Sequence, residues 1–196
     1  MYGIYENGKV IGVFTAPLTV KSNQPVFVSD SLSLKRSRQK RSNQRWEISA
    51  GIRPETIEAN DLLVLLVSKS YTEPVDILVP QNTGVMMKRI TGTAVLANGS
   101  KGSTTISVTT TAFIPKGCFI KFSNHSKVYM TVTDKTRQSN SVEIYPALLS
   151  SVSNGSFYWQ DDVIMKAYFD TDVTTGMVYS DGIMMDLGTV KLVEAL

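Results

Sequence analysis

A chain of 196 residues with 42% apolar and 19% charged residues can bury a core, either as one large domain or as two small β modules. Its single cysteine, Cys118, excludes an intrachain disulfide, and no apolar run exceeds the six residues 62–67, so neither an oxidised scaffold nor a membrane span or signal segment is expected. The formal charge is +3 with Lys35, Arg36, Arg38, Lys40, Arg41 and Arg45 and −3 without them, so the basicity is local to one stretch free of Asp and Glu.

Strand signals dominate from the start. Residues 2–5 and 9–15 flank Glu6-Asn7-Gly8, and Asn-Gly between two β-prone runs marks a hairpin. Residues 20–34 hold two strand candidates interrupted by Pro25. The basic stretch then leads into residues 45–52, whose alternation puts Trp46, Ile48 and Ala50 on one face and Arg45, Glu47 and Ser49 on the other, with Trp46 as a core anchor. One helix is expected between Pro54 and Ser70. Pro54 suits its first turn, Glu55 and Glu58 the positive end of its dipole, and Lys69 the other end. Ile57, Leu62, Leu65 and Leu66 would form its buried stripe, and Asn60 or Asp61 would cap a shorter version. A strand at 75–79 follows, ended by Pro80.

From Ile90 the texture changes to glycine and hydroxyl-bearing residues, which reads as a second module. Its expected parts are strands at 92–96 and 104–110 around a turn at 97–103, and a Pro115–Gly117 turn. A hairpin then pairs 118–122 with 127–132, with Val128, Met130 and Val132 inward, and a closing strand occupies 142–145. Strands at 162–169 and 177–179 and a segment at 183–193 then need a partner sheet, which the first ninety residues offer. The expected fold is therefore mainly β with one helix (α+β). A β-sandwich or barrel-like domain, residues 1–89 plus 151–196, carries a small inserted β-barrel at 90–150.

Enzymatic readings meet a thin inventory. His125 is the only histidine, so a zinc site would have only Cys118 and His125 as soft ligands. The same two residues would be the members of a nucleophile–base pair, against the plainer reading of Cys118 as a strand residue and His125 as a loop-tip residue. Asp161, Asp162, Asp170, Asp172, Asp181 and Asp186 follow turn spacing and lack the pattern of a calcium loop. Asn98-Gly99-Ser100-Lys101-Gly102-Ser103 resembles a phosphate loop but has no helix after it, and reads as a β-turn. No catalytic residue, cofactor, metal, small-molecule substrate or membrane partner is expected.

Three roles compete for the basic stretch: a solvated loop, a nucleic-acid contact, and a docking arm for an acidic protein. Six cations could neutralise phosphates, yet no aromatic residue interrupts them before Trp46, whereas single-strand binders interleave stacking rings with charge. The docking arm is the reading adopted, with Lys35, Arg36, Arg38, Lys40, Arg41 and Arg45 as its contacts. A carbohydrate-binding module stacking sugars on Phe157, Tyr158 and Trp159 is a further alternative. Consecutive strand residues, however, cannot all face one way.

Four stretches carry a resemblance. They are the arm KRSRQKRSNQ at 35–44 entering Arg45-Trp46-Glu47-Ile48, the helix-like 60–70, the pair IPKGCFIKF at 114–122 with KVYMTV at 127–132, and VEIYPALL at 142–149. In this order they resemble a family of small bacteriophage tail proteins of distal-tail or baseplate character, with Cys118 where that pattern usually carries Asp. The resemblance spans about residues 30–170. It implies a virion structural subunit, without an active site, that assembles into a homo-oligomeric ring or an adaptor with other tail and baseplate proteins. Its place would be the virion tail, and the host cytoplasm during assembly.

Overall fold

The computed structural model describes residues 2–33, 35–40, 43–55, 59–69, 72–81, 95–109, 113–159, 163–170, 178–180 and 183–196. Their architecture is mainly β with one short helix, as the sequence implies, and its centre is a pair of six-stranded barrels.

The first barrel draws on both ends of the chain. β1 (Gly3–Glu6), β2 (Lys9–Asn23), β5 (Arg45–Pro54), β16 (Thr189–Glu194), β13 (Ile164–Phe169) and β6 (Val75–Leu78) pair in that order, and β6 returns to β1. The expected Asn7-Gly8 turn joins β1 to β2, with positive φ at both residues. The two strand candidates expected at 9–15 and from 20 onward form one long strand instead. A register shift between Thr15 and Thr19 absorbs Pro17, and β5 keeps pairing on both sides of it.

Helix α1 (Ala59–Lys69) is shorter than the expected span. Pro54 does not open it: Pro54 ends β5, paired with Gly12, and Ile57 and Glu58 lie outside the described residues. Leu62, Leu65 and Leu66 are buried as expected and join Ile4, Ile11, Ile52 and Ile77 in the barrel's apolar cluster. The helix comes so close to β2 that a Cβ on Gly12 would lie 2.9 Å from Ile52 Cγ2 and 3.1 Å from a Leu62 methyl.

The second barrel comprises β10 (Val128–Thr131), β11 (Ser141–Tyr145), β8 (Thr105–Thr109), β7 (Val95–Gly99), β12 (Val152–Trp159) and β9 (Phe119–Phe122), closed by β9 on β10. Its strands run over 95–159, past the expected limit at 150, because β12 pairs with both β7 and β9. β7 also continues through Gly99, so the turn expected at 97–103 starts later. It is closed by a Ser103 N–H to Ser100 carbonyl bond of 3.0 Å, with Gly102 at φ 83.

The inner face expected for β10 is reversed. Tyr129 is fully buried in the second barrel's core, while Val128 and Met130 pack into the first barrel's cluster and Val132 is exposed. Alternation was present, but both sides of the strand are covered, one by each barrel. Two two-stranded sheets remain outside the barrels: β3 (Val26–Asp30) with β4 (Arg36–Lys40), and β14 (Val178–Ser180) with β15 (Ile183–Asp186). Among the described residues no helix is long and apolar enough to cross a membrane.

Candidate docking surface

The junction between the barrels sets the site's geometry. Trp46 on β5 donates its indole N–H to the Val128 carbonyl at 2.9 Å and meets the Phe119 and Tyr145 rings edge-on, with centroids 5.1 and 6.3 Å away. Beside it, the buried Glu194 carboxylate accepts the Trp46 N–H at 3.1 Å, the Val128 N–H at 2.8 Å and the Lys127 ammonium. Burial pulls the Lys127 pKa down and Glu194 opposes that shift. Gln81 bonds both backbone groups of Phe119, at 2.8 and 2.9 Å, and Lys121 donates to the Ile164 carbonyl at 2.7 Å.

The β3–β4 hairpin stands on this junction. Tyr145 of the second barrel donates to Gln24 Oε1 at 2.9 Å, and its hydroxyl lies 3.2 Å from Ser22 Oγ. Gln44 donates to the same Ser22 oxygen at 3.1 Å, while Lys127 bonds Gln44 at its carbonyl (2.9 Å) and at Oε1 (2.7 Å). The root is therefore gripped from both barrels. At the tip the Ser31 N–H bonds the Lys35 carbonyl at 3.0 Å, and Arg36 pairs with Asp30 at 3.3 Å.

Register decides what each face of the hairpin shows. Val26 pairs with Lys40, Val28 with Arg38 and Asp30 with Arg36, whereas Phe27 pairs with Gln39 and Ser29 with Ser37. Cross-strand partners share a face, so Val26 and Val28 lie with Arg36 and Arg38, and Phe27 lies opposite with Ser29 and Ser37. They stay largely exposed among the described residues: Val26 is 47% exposed, Phe27 58% and Val28 43%, and Leu32 at the tip is wholly exposed. A two-stranded ribbon with wet faces gains little from its own packing. Its apolar residues and free edges are what a protein partner would cover.

Of the six cations singled out in the sequence, Arg36 and Arg38 sit on β4 with exposed side chains, Lys35 is exposed just before it, and Arg45 is exposed where β5 begins. Lys40 ends β4, and Arg41 lies outside the described residues. The strand expected after Pro25 is β3, but the sequence reading did not join it to the basic stretch as the other half of the arm.

The other candidates fall elsewhere. Cys118 is buried ahead of β9, its N–H on Thr131 Oγ1 at 2.9 Å, and His125 lies beyond the opposite end of the same hairpin, so the two do not meet. His125 instead belongs to a relay that closes that end of the second barrel. Asn124 donates to the Ser151 carbonyl at 2.8 Å, which turns its oxygen to His125 Nδ1, also at 2.8 Å. Nε2 then accepts from the Tyr129 hydroxyl at 2.8 Å, and that hydroxyl accepts the Leu149 N–H at 3.0 Å. Burial pushes the Tyr129 pKa up to about 12.

Burial, helped by Lys121, holds the imidazole below its usual 6.5. A depressed folded-state pKa gives stability that is complete above about 6.5 and is lost as pH falls below it. Urea titrations at about pH 7.5 and about pH 5 are therefore expected to show an acid loss that shrinks in His125→Gln. An equal loss in both proteins would remove His125 as its source.

Asp186 accepts the Gly188 N–H at 2.9 Å in the turn between β15 and β16, and Asp170 pairs with Lys191 at 2.6 Å. Asp161, Asp162, Asp172 and Asp181 lie outside the described residues. Phe157 is buried in the second barrel's core, which removes it from any sugar-stacking platform, and the side chains of Tyr158 and Trp159 lie outside the description. No protein-family model matches this chain, and no curated protein matches it.

Proposed function

We propose that this protein is a structural subunit of a bacteriophage tail or baseplate, and that the β3–β4 hairpin is the arm by which it docks on neighbouring proteins. The observation that carries the reading is the pairing of a gripped root with an uncovered blade. Side chains from both barrels fix the base, and the blade presents Val26 and Val28 together with Arg36 and Arg38. A pre-positioned arm loses little freedom on binding, and valines flanked by cations suit an acidic protein groove. The tail assignment draws its support from the sequence resemblance, whose arm, helix and Pro115–Gly117 turn stand in the order described above. In this reading the protein resides in the virion tail and passes through the host cytoplasm during assembly.

The test is incorporation. Particles made with Arg36→Glu/Arg38→Glu should lack the subunit or stall at the stage that needs it, as seen by electron microscopy, while the purified variant melts like wild type. Normal incorporation would overturn the arm reading. A basic two-stranded ribbon also fits a DNA major groove, which keeps nucleic acid as the second reading. Against it, Val26 and Val28 share the cationic face and would lie against phosphates. Salt-dependent DNA retention that this variant loses, with incorporation intact, would favour it.

A further inference from the structure

The monomer exposes a second apolar patch that complements the first. On α1, Val64 is 66% and Val67 63% exposed, three positions apart on the outer face and opposite the buried Leu62, Leu65 and Leu66. Asp61 is exposed one turn before Val64 and makes a loose, solvated ion pair with Lys9 at 3.9 Å, both side chains more than half exposed. The outer face of the helix is thus apolar with the exposed Asp61 beside it, and the hairpin face is apolar and basic.

Their dimensions agree. Val26 and Val28 stand two strand residues apart, about 7 Å, and Val64 and Val67 are neighbours on a helix at about 5–6 Å. A five-residue blade extends about 17 Å, close to the roughly 16 Å of an eleven-residue helix. Arg38 has no acidic partner among the described residues, whereas Arg36 is held by Asp30. Both patches stay exposed on the isolated chain, so neither covers the other within one molecule.

We propose that the valine-bearing, cationic face of the β3–β4 hairpin seats on the outer face of α1 of a second copy of this chain, Val26 and Val28 against Val64 and Val67 and Arg38 toward Asp61. The inference rests on the assembly reading above and names the partner and its seat. Because arm and seat are different patches of one chain, the contact is head-to-tail, and repeating it closes a ring or extends a filament.

Sedimentation velocity and light scattering on the full chain test this. Arg38→Glu damages the arm, and Val67→Lys damages the seat by placing a cation where the arm's cations arrive. Each is expected to weaken self-association by roughly 30-fold or more, as for a central contact, with an unchanged melting curve. Mixing the two variants should give dimers and nothing larger, since only one intact arm and one intact seat remain in each pair. The charge swap Arg38→Glu/Asp61→Arg should recover assembly.

Wild-type assembly by Val67→Lys, with Arg38→Glu defective, would overturn the helix seat and leave the arm's role standing. A wild-type chain that stays monomeric at its highest soluble concentration, yet needs the arm to enter particles, would overturn the second-copy partner alone. Normal self-association and normal incorporation of Arg38→Glu would remove both the seat and the arm.

Discussion

Glu194→Ala is expected to destabilise the protein by about 3–5 kcal/mol, the range for removing one partner of a buried ion pair. Three donors converge on this carboxylate, the Trp46 and Val128 backbone N–H groups and the Lys127 ammonium, and the side chain is 0% exposed. Alanine would leave Lys127 charged and buried, with Gln44 as its remaining partner among the described residues. Burial already pulls the Lys127 pKa down, so the folded state would hold that proton still less well without Glu194. The partner substitution Lys127→Met should lessen the damage of Glu194→Ala when the two are combined, because no stranded charge remains. Guanidinium titration of the four proteins measures this coupling. A loss below about 1 kcal/mol for Glu194→Ala would mean that solvent enters the junction and screens it.

Trp46→Ala is the second large effect, at about 3–5 kcal/mol for a truncated core aromatic. The indole fills the seam between the barrels, so its loss removes the edge-on contacts with Phe119 and Tyr145 as well as the bond to the Val128 carbonyl. Trp46→Phe keeps most of the volume and forfeits the N–H, for about 1–2 kcal/mol. Beyond the size of the loss, its form is informative. Wild type should unfold in one transition, and Trp46→Ala should separate the barrels into two, read by circular dichroism and by tyrosine fluorescence. A single, barely shifted transition would show that Gln81, Lys121 and the Glu194 carboxylate suffice to join them.

Where structure is local, these residues announce it. Asn7-Gly8 forms the hairpin its chemistry requires, Leu62, Leu65 and Leu66 face inward from α1, and Trp46, Ile48 and Ala50 are buried on β5. The arm was legible as charge in its returning half and as a strand in its outgoing half, but not as one hairpin. Arg36-Ser37-Arg38-Gln39-Lys40 has no apolar alternation because neither face of its ribbon meets a core. The faces of β10 were misjudged because a strand between two cores has two inner sides, and sequence alternation assumes one. Lys127 and Glu194 are 67 positions apart, so no local pattern could pair them. Pro54 looked like a helix opener because proline suits a first turn as well as it suits a strand end.

The order in which the strands leave the ribosome gives the junction a temporal side. β7 through β12 emerge as an uninterrupted run, so the second barrel has all its parts before β13 and β16 exist. The first barrel must wait, because β5 has only β2 beside it until β16 arrives on its other edge, and the acceptor for the Trp46 and Val128 amides comes with it. Until then β1, β2, β5 and β6 form an open, greasy trough tethered to a finished companion, the stage of biosynthesis at which a nascent chain of this design depends most on chaperones.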